Sequence, residues 1–455
     1  MSAATRHGLA LALSFLAGAS LTAVHAVWAD KEAPPENKLP LDELRAFTGV
    51  LDAVKQDYVE PVQDKALLEN AIRGMLSNLD PHSAFLDAEA FQDLQIGTSG
   101  EFGGLGIEVS QEDGFLKVIA PIDDTPAQRA GIRAGDLIIR LDDVSVKGMP
   151  LADAIQRMRG KPNTAITLTV VREGARKPLK IKLIREVIQV RSVKGRLLEP
   201  GFGYLRITQF QSKTDQNLRQ ALQEIEQQNK GPLRGVVLDL RNNPGGVLNG
   251  AVDVADEFLD NGAIVQTKGR GNGSDQSFKA TPGDLLKGAP LVVLVNSGSA
   301  SASEIVAGAL QDHRRALILG ERTFGKGSVQ TILPLGNGTA VKLTTARYYT
   351  PNGRSIQAEG IEPDIKLKPL KVADGADSSD PDPVKEADLT GHLRNDRNNP
   401  DNPAPRAPPE SVGPAERAPD AKVDSDLAQS DYQLYEALNL LKGMTLLQAQ
   451  ARKSD

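Results

Sequence analysis

The sequence predicts an α/β core preceded by a small β-rich module, with helical segments towards both ends of the chain. Between residues 202 and 368, apolar strand-like runs alternate with helical spacing, which is typical of a substantially parallel sheet flanked by helices. Between residues 97 and 186, short apolar runs are separated by Gly and Asp turns, which indicates a compact β-rich unit. A chain of 455 residues is also too long for a single hydrophobic core.

Composition and charge narrow the classes of function. The net charge is −6 with both signs interspersed, and nucleic-acid binders are usually basic, so no nucleic-acid partner is expected. The absence of cysteine excludes a disulfide framework and a thiolate zinc site. The five histidines form no HExxH pair, so a zinc centre of that type is not expected and we predict no metal site.

The first 29 residues have the organisation of a signal peptide. Arg6 and His7 precede an apolar stretch of about 17 residues, and small residues follow it. This pattern predicts cleavage after Ala26 or Ala29, and an uncleaved membrane anchor is the alternative. We therefore expect an exported protein, which would be periplasmic if the source is a Gram-negative bacterium.

The N-terminal segment, residues 30–90, is predicted to be helical. Apolar side chains recur every three or four positions from Leu41 to Tyr58. A second helix is expected at 64–79, and Pro81 ends it because the residue before a proline avoids the helical conformation. This pair of helices is short for a core of its own.

The C-terminal part is predicted to be a linker followed by a helix. Residues 371–425 hold nine prolines and no aromatic residue, which predicts a disordered linker. Residues 426–452 have apolar helical spacing and predict an amphipathic helix. A lone amphipathic helix is marginal in water, so we expect a homo-oligomer with terminal helices at its interface. The alternative is that each helix folds back on its own chain.

The stretch NSGSASASEI, residues 296–305, places three serines where an apolar strand gives way to a helix. The strand-to-helix turn that carries the nucleophile of many hydrolases needs small residues two positions to either side, and Ser301 has Ser299 and Ser303 there. The helix N-terminus also favours negative charge near Ser301. In the alternative, Ser301 and Glu304 form the capping box of an ordinary helix.

A serine nucleophile needs a base, and the histidines are poorly placed for that role. His313 lies more than three helical turns beyond Ser301, and His82 lies outside the α/β region. A lysine is the next alternative. Lys326 stands between two glycines before an apolar strand, and in an extended chain Gln330 faces the same side and orients it. Such a base needs burial that lowers its pKa by roughly 3 units; otherwise it is a surface lysine in a glycine turn.

Two further motifs bear on the chemistry. GERTFGK, residues 320–326, matches a phosphate-binding loop, but Gly327 stands where that motif requires Ser or Thr, so nucleotide binding is disfavoured. LDLRNNPGG, residues 238–246, ends a strand in a tight turn whose amides could bind an oxyanion. A purely structural turn is the alternative.

In this order, NPGG, SASASE and FGKGSVQ resemble the motifs of the carboxyl-terminal processing (tail-specific) peptidases. The resemblance implies an α/β peptidase core (187–368) with an inserted β-rich PDZ domain (97–186) and helical terminal segments. It implies that Ser301 is the nucleophile, Lys326 the general base and Gln330 the group that positions the lysine. The reaction is then peptide hydrolysis through an acyl-enzyme, without metal or cofactor.

The resemblance also implies two binding sites. The oxyanion hole would use the amide of Ala302 and that of Gly245 or Gly246, with the choice between the glycines open. GGLGIEV, residues 103–109, resembles the carboxylate loop of a PDZ domain, which binds a peptide C-terminus as an added strand. The peptide-binding residues would be Leu105, Gly106, Ile107, Ile155 and Met158.

The implied function is that of an exported serine endopeptidase cleaving envelope proteins recognised through an apolar C-terminus. Members of the family in bacterial envelopes often process cell-wall enzymes, sometimes with a lipoprotein adaptor. Such a partner would hold the protein peripherally at the membrane. The alternative is a non-catalytic PDZ adaptor built on a peptidase-like fold.

We expect Ser301→Ala to abolish proteolysis of a loosely folded substrate while leaving the protein folded, because only Ser301 has the position of a nucleophile. Ser299→Ala and Ser303→Ala are the matched controls and should retain measurable activity. Cleavage rates together with circular dichroism check this. Near wild-type cleavage by the Ser301 variant would refute the assignment.

Overall fold

The computed structural model describes residues 39–122, 124–271, 273, 275–368, 383–395, 427–428 and 430–454. The predicted signal peptide lies outside this range. The chain divides into two units, residues 1–71 and 72–455. Within the described residues, none of the helices has the length and apolar character needed to cross a membrane.

The N-terminal unit contains helix α1 (Leu41–Asp57) and the beginning of helix α2 (Asp64–Ser77). Both helices were predicted from apolar spacing. Helix α1 has no buried residue, although its sequence has an apolar stripe.

A β-rich module occupies the first part of the larger unit. Its main sheet has the order β3-β4-β5-β7-β8 with β6 on β5, and every neighbouring pair is antiparallel. Strands β2 and β9 pair with each other where the chain enters and leaves the module. This pairing makes the module an insertion, as predicted. The elements of this region are β1 (Ala84–Leu86), α3 (Ala88–Ser99), β2 (Glu101–Gly104), β3 (Ile107–Glu112), β4 (Phe115–Pro121), α4 (Pro126–Arg129), β5 (Leu137–Leu141), β6 (Val144–Ser145), α5 (Leu151–Met158), β7 (Ala165–Val171), β8 (Leu179–Ile184) and β9 (Glu186–Gln189).

The α/β core contains a six-stranded sheet of order β10-β11-β12-β15-β16-β19. Only the β10–β11 pair is antiparallel, so the predicted parallel sheet is present. A second, antiparallel sheet has the order β1-β18-β13-β14, with β17 also on β18. The core elements are β10 (Val193–Glu199), β11 (Phe202–Ile207), α6 (Thr214–Asn229), β12 (Gly235–Asp239), α7 (Leu248–Asp256), β13 (Ala263–Gly269), β14 (Gln276–Lys279), β15 (Leu291–Val295), α8 (Ala302–Asp312), β16 (Leu317–Gly320), β17 (Ser328–Pro334), β18 (Ala340–Tyr349) and β19 (Ile365–Lys366).

The parallel sheet is buried on both faces. In β15, Leu291, Val293 and Val295 belong to the apolar cluster on the side of α6, α7 and α8, whereas Val292 and Leu294 belong to a second cluster. A strand covered on both faces needs apolar residues at every position, which explains the unbroken LVVLV run.

The second cluster is covered by helix α9 (Tyr432–Ser454) of the same chain. Its buried leucines pack against the sheet and are each no more than 1% exposed: Leu434, Leu438 and Leu441. The argument that this helix needs another subunit to cover its apolar face is therefore wrong. Its apolar side chains replace solvent on the outer face of the sheet.

The predicted disordered linker, 371–425, is wrong for one stretch. Residues 383–395, hereafter the strap, are ordered and include a 3-10 turn at Glu386–Asp388. The Glu386 amide donates to the Phe324 carbonyl at 3.2 Å, and the Asn395 side chain donates to the Gln357 carbonyl at 2.8 Å. Composition predicted disorder because this segment has few apolar residues to bury. The strap is ordered because polar hydrogen bonds hold it instead.

We expect Leu438→Ala to lower the free energy of unfolding by about 2–5 kcal/mol, because the side chain is fully buried against the sheet. Leu447→Ala on the same helix, where the side chain is 68% exposed, is the control and should change it by less than about 0.5 kcal/mol. Urea denaturation measures both. Equal effects of the two substitutions would show that α9 does not cover the core in solution.

Candidate active site

Ser301 lies at the turn between β15 and α8. Its backbone has φ 54° and ψ −110°, a conformation that non-glycine residues seldom adopt. A strained residue of this kind costs about 1–3 kcal/mol and persists only where the surrounding structure imposes it. This is the geometry of a turn that presents a nucleophile at the start of a helix.

The two flanking serines are structural. The Ser299 hydroxyl donates to the Leu240 carbonyl at 2.8 Å, and the Ser303 hydroxyl donates to the Asn243 carbonyl at 2.9 Å. Both serines are fully buried. They join the turn around Ser301 to the NPGG turn that follows β12, which explains why hydroxyls stand where other hydrolases have glycine.

The Glu304 carboxylate joins the two predicted catalytic residues. Its Oε2 atom accepts a hydrogen bond from the Ser301 backbone amide at 2.7 Å and from the Lys326 backbone amide at 2.9 Å. Its Oε1 atom accepts from the Gly325 amide at 2.8 Å and from the Thr323 hydroxyl. One side chain thus brings Ser301 and Lys326, which are 25 positions apart in the sequence, to the same point.

Glu304 has no exposed surface, and burial raises its pKa to about 7 although four donors oppose this rise. The bond to the Ser301 amide is half of the capping box considered from the sequence. The ordinary interpretation of that motif is incomplete, because the same carboxylate also holds the loop that carries Lys326.

The backbone amides of the loop before β17 are already hydrogen-bonded within the protein. The Gly325 and Lys326 amides bind Glu304, and the Gly327 amide donates to Gln357 Oε1 at 3.0 Å. A phosphate-binding loop needs those amides free, and a strand follows here where that motif requires a helix. The nucleotide-binding alternative is therefore excluded.

The Lys326 side chain lies in a mostly buried environment of mixed charge. Burial lowers its pKa below the usual lysine value, and repulsion from Lys342 adds to this effect. Attraction to Glu386, Glu304 and Asp80 acts in the opposite direction. The result is a lysine whose neutral form is more accessible than that of a surface lysine.

Gln330 does not hydrogen-bond to Lys326. Its Nε2 atom donates to Ser328 Oγ at 2.9 Å and to Thr344 Oγ1 at 3.3 Å. Strand β17 begins only at Ser328, and its pairing with β18 shifts between Val329 and Gln330. The regular extended chain assumed for 326–330 is therefore interrupted by this irregularity.

The described contacts of the Ser301 hydroxyl include a residue that the sequence did not indicate. Tyr348, a buried residue of β18, lies close enough to Ser301 for the serine to lower the pKa of its phenol, against the larger effect of burial. Burial raises the pKa of Tyr348 to about 12, so the phenol is protonated at neutral pH. Among the described residues no hydrogen bond joins Ser301 to Lys326 in this state.

Two of the three residues predicted for the oxyanion hole, Gly245 and Ala302, lie next to Ser301. Gly245 approaches so closely that a Cβ atom there would lie 2.8 Å from the Ser301 Cβ atom, which only glycine avoids. The Gly245 amide donates to Asn243 Oδ1 at 2.9 Å. Within the described part of the chain, the amides of Ala302 and Gly246 make no hydrogen bond.

The five predicted peptide-binding residues surround one cavity of about 260 Å³ in the β-rich module. The amides of Leu105 and Gly106 have no hydrogen-bond partner among the described residues. Gly106 has φ +75°, and a Cβ atom there would lie 2.3 Å from Thr125. The predicted residues that line the cavity, together with five others, are Leu105, Gly106, Ile107, Ile155 and Met158.

Comparison with known proteins decides the family. Family models match at 201–367 (Peptidase family S41), 103–183 (PDZ domain) and 11–90 (Activating protease CtpB N-terminal domain). The chain is 49% identical over 385 residues to a carboxy-terminal-processing protease of Bartonella bacilliformis, a match that covers 84% of this chain and 87% of that protein. This chain belongs to the carboxyl-terminal processing peptidases.

Other relatives agree with that assignment. A carboxyl-terminal-processing protease of Synechocystis is 39% identical over 319 residues, covering 68% of this chain and 74% of that protein. The solved structure of a photosystem II D1 C-terminal processing protease is 35% identical and covers 71% of this chain and 87% of that chain, with a TM-score of 0.41. Together, the family models and the two curated relatives show a serine-type processing peptidase with an α/β core and an inserted PDZ domain.

Several residues around the site of this processing peptidase were not predicted. His82 was set aside as lying outside the core, yet its ring bonds to the buried Glu386 carboxylate at 2.8 Å. Tyr348 and Glu386 carry no sequence signal, because each reaches the site through a distant part of the chain. For Glu304, the SxxE spacing was a signal, but it indicated only the capping bond.

We expect Glu304→Gln to lower kcat about 10- to 100-fold and to destabilise the fold. The amide nitrogen would face two buried donors, and each unsatisfied buried donor costs about 1–3 kcal/mol. Thr323→Val removes one donor to the carboxylate, and the acceptor of the Ile361 amide, but leaves the carboxylate in place, so it should have the smaller effect on kcat. Steady-state kinetics and thermal melting test this, and wild-type kcat in Glu304→Gln would disprove the anchoring role.

Proposed function

We propose that this peptidase hydrolyses peptide bonds through a dyad of Ser301 and Lys326. The observation that carries the proposal is the Glu304 Oε2 atom, which the backbone amides of both residues share. Neutral Lys326 takes the Ser301 hydroxyl proton as the oxygen attacks the scissile carbonyl. The ammonium then gives that proton to the leaving amine, and water hydrolyses the acyl-enzyme by the same sequence.

The negative oxygen formed in each step needs donors. The Ala302 and Gly246 amides are free among the described residues, whereas the Gly245 amide is already bonded, so we assign the oxyanion hole to Ala302 and Gly246. Gln330 keeps its proposed role of positioning Lys326. Because catalytic bonds often close only on the substrate, that role requires Gln330 to change partners during turnover.

Recognition is proposed to begin at the PDZ domain. The free amides of Leu105 and Gly106 would hold a C-terminal carboxylate, while Ile155 and Met158 line the adjacent apolar cavity. Protein substrates with apolar C-termini follow from this chemistry. Cell-wall enzymes as substrates and a lipoprotein adaptor remain proposals from the family resemblance.

The cellular setting is also a proposal. The N-terminal pattern supports export and cleavage after Ala26 or Ala29. N-terminal sequencing of the protein from the envelope fraction tests this, and a chain that begins at Met1 would contradict cleavage. Exposed apolar residues of α1, including Phe47 and Val50, support a homo-oligomer. A monomeric mass by light scattering would contradict that assembly.

We expect Lys326→Arg to be as inactive as Lys326→Ala, because a guanidinium stays protonated and cannot accept a proton. In the wild type, kcat/KM should rise with pH as Lys326 loses its proton. Burial lowers the pKa of Lys326, so the midpoint of this rise should lie below about pH 10.4, the usual lysine value.

Rates from about pH 5 to 9 measured with a peptide substrate test this mechanism. A flat profile would contradict a lysine base. Chelators should not change the rate, since no step uses a metal. If the protein is instead a non-catalytic adaptor, the wild type should show no turnover at any pH.

We expect amidation of a substrate's C-terminus to weaken binding about 10- to 100-fold, since hydrogen bonds to a charged group contribute about 1.5–3 kcal/mol. Calorimetry with Ser301→Ala, which cannot cleave the peptide, compares the free acid with the amide. Equal affinities would remove the carboxylate-binding role from the loop at Leu105 and Gly106.

A further inference from the structure

The strap lies outside all three ranges matched by family models, yet it reaches the Lys326 side of the active site. The Glu386 amide is bonded to the carbonyl of Phe324, two residues before Lys326. Asn395, at the other end of the strap, donates to the Gln357 carbonyl at 2.8 Å.

Gln357 connects the strap to the lysine loop. Its Oε1 atom accepts from the amide of Gly327, the residue after Lys326, at 3.0 Å, and its Nε2 atom donates to Glu386 Oε1 at 2.9 Å. The His82 Nε2 atom lies 2.8 Å from Glu386 Oε2. The Glu386 carboxylate is thus held from two sides, and its side chain is only 1% exposed.

Burial disfavours the charged form of a carboxyl group, so the surroundings of Glu386 must stabilise its charge. Hydrogen bonds to His82 and Gln357 alone would not require a charge, because a neutral amide could also form them. Burial raises the pKa of Glu386, but the bonds to His82 and Gln357 and the charge of His82 outweigh burial and lower it. The group is therefore ionised at neutral pH. Its negative charge acts on Lys326, which it does not contact directly.

We propose that Glu386 is a positioning residue of the peptidase reaction, and that the strap completes the active site by holding a negative charge beside the Lys326 base. When Lys326 takes the proton from Ser301, an ammonium forms in a buried site, and the charge of Glu386 stabilises it. The proposal rests on the proposed Ser301–Lys326 mechanism.

Other charged groups besides Glu386 also act on Lys326. Lys342 on β18 repels the ammonium, whereas Glu304 on α8 and Asp80, before β1, attract it. His82 and Gln357 both contact the Glu386 carboxylate and stay in place in the variants below. Removing the Glu386 charge leaves these groups in place, so Lys326 should lose its proton at lower pH.

The test compares the pH dependence of kcat/KM for full-length Glu386→Gln with that of the wild type. We expect the rising limb to move to lower pH by about 0.5–1 unit, because a charge without direct contact acts less than the roughly 1–3 units of a contacting pair. The plateau should fall about two- to threefold, as a weaker base transfers protons less well. Glu386→Asp keeps the charge and should restore the limb to its wild-type position.

Glu362→Gln is the matched control. It removes a carboxylate of the same core that is paired with Arg322 and Lys366 and is not among the charges that act on Lys326, so its limb should not move. Asn395→Ala loosens the strap without changing charge and should shift the limb in the same direction as Glu386→Gln, by less. This variant decides the question if thermal melting shows that Glu386→Gln is unfolded.

An unmoved limb in the folded Glu386→Gln enzyme, even with lower activity or stability, would overturn the proposal and leave the strap a structural clamp. An equal shift in the Glu362 control would also overturn it. Failure of the dyad itself is distinguishable, because in that case Lys326→Arg remains active whatever Glu386 does.

Discussion

The active site depends on one buried carboxylate. Glu304 receives four hydrogen bonds, from the turn that carries Ser301 and from the loop that carries Lys326. Each segment alone would be unstable, since Ser301 has a strained backbone and the lysine loop is rich in glycine. A carboxylate can satisfy both segments because it has two oxygens and accepts without donating.

The remaining parts of the site are held by the same kind of polar connection. Ser299 and Ser303 bind the NPGG turn to the nucleophile turn, and Gln357 binds the lysine loop to the strap. The parallel sheet beneath provides rigidity through burial on both faces, with α9 closing the outer one. Apolar packing therefore fixes the framework, and buried polar groups fix the positions of Ser301 and Lys326 within it.

The charges around Lys326 act in opposite directions, as the proposed role of a base requires. Burial and Lys342 favour its neutral form, whereas Glu304, Glu386 and Asp80 favour the ammonium. A base must lose its proton before the reaction and hold one during it, so neither influence alone would suffice. The balance requires charges from segments far apart in the chain.

Local pattern was sufficient to predict the main elements and to propose the reacting side chains. The run LVVLV indicated a strand, helical spacing identified α1 and α9, and small residues around Ser301 indicated a nucleophile turn. What the tertiary structure decided was every contact between distant segments. Composition predicted disorder for the strap, because the polar bonds to Phe324 and Gln357 leave no periodic pattern in the sequence. For α9, the apolar spacing predicted a helix but did not indicate which apolar face it covers, and the structure shows that it is the sheet of its own chain. Periodicity records which residues are buried, whereas the partner of a buried polar group depends on where folding brings the rest of the chain.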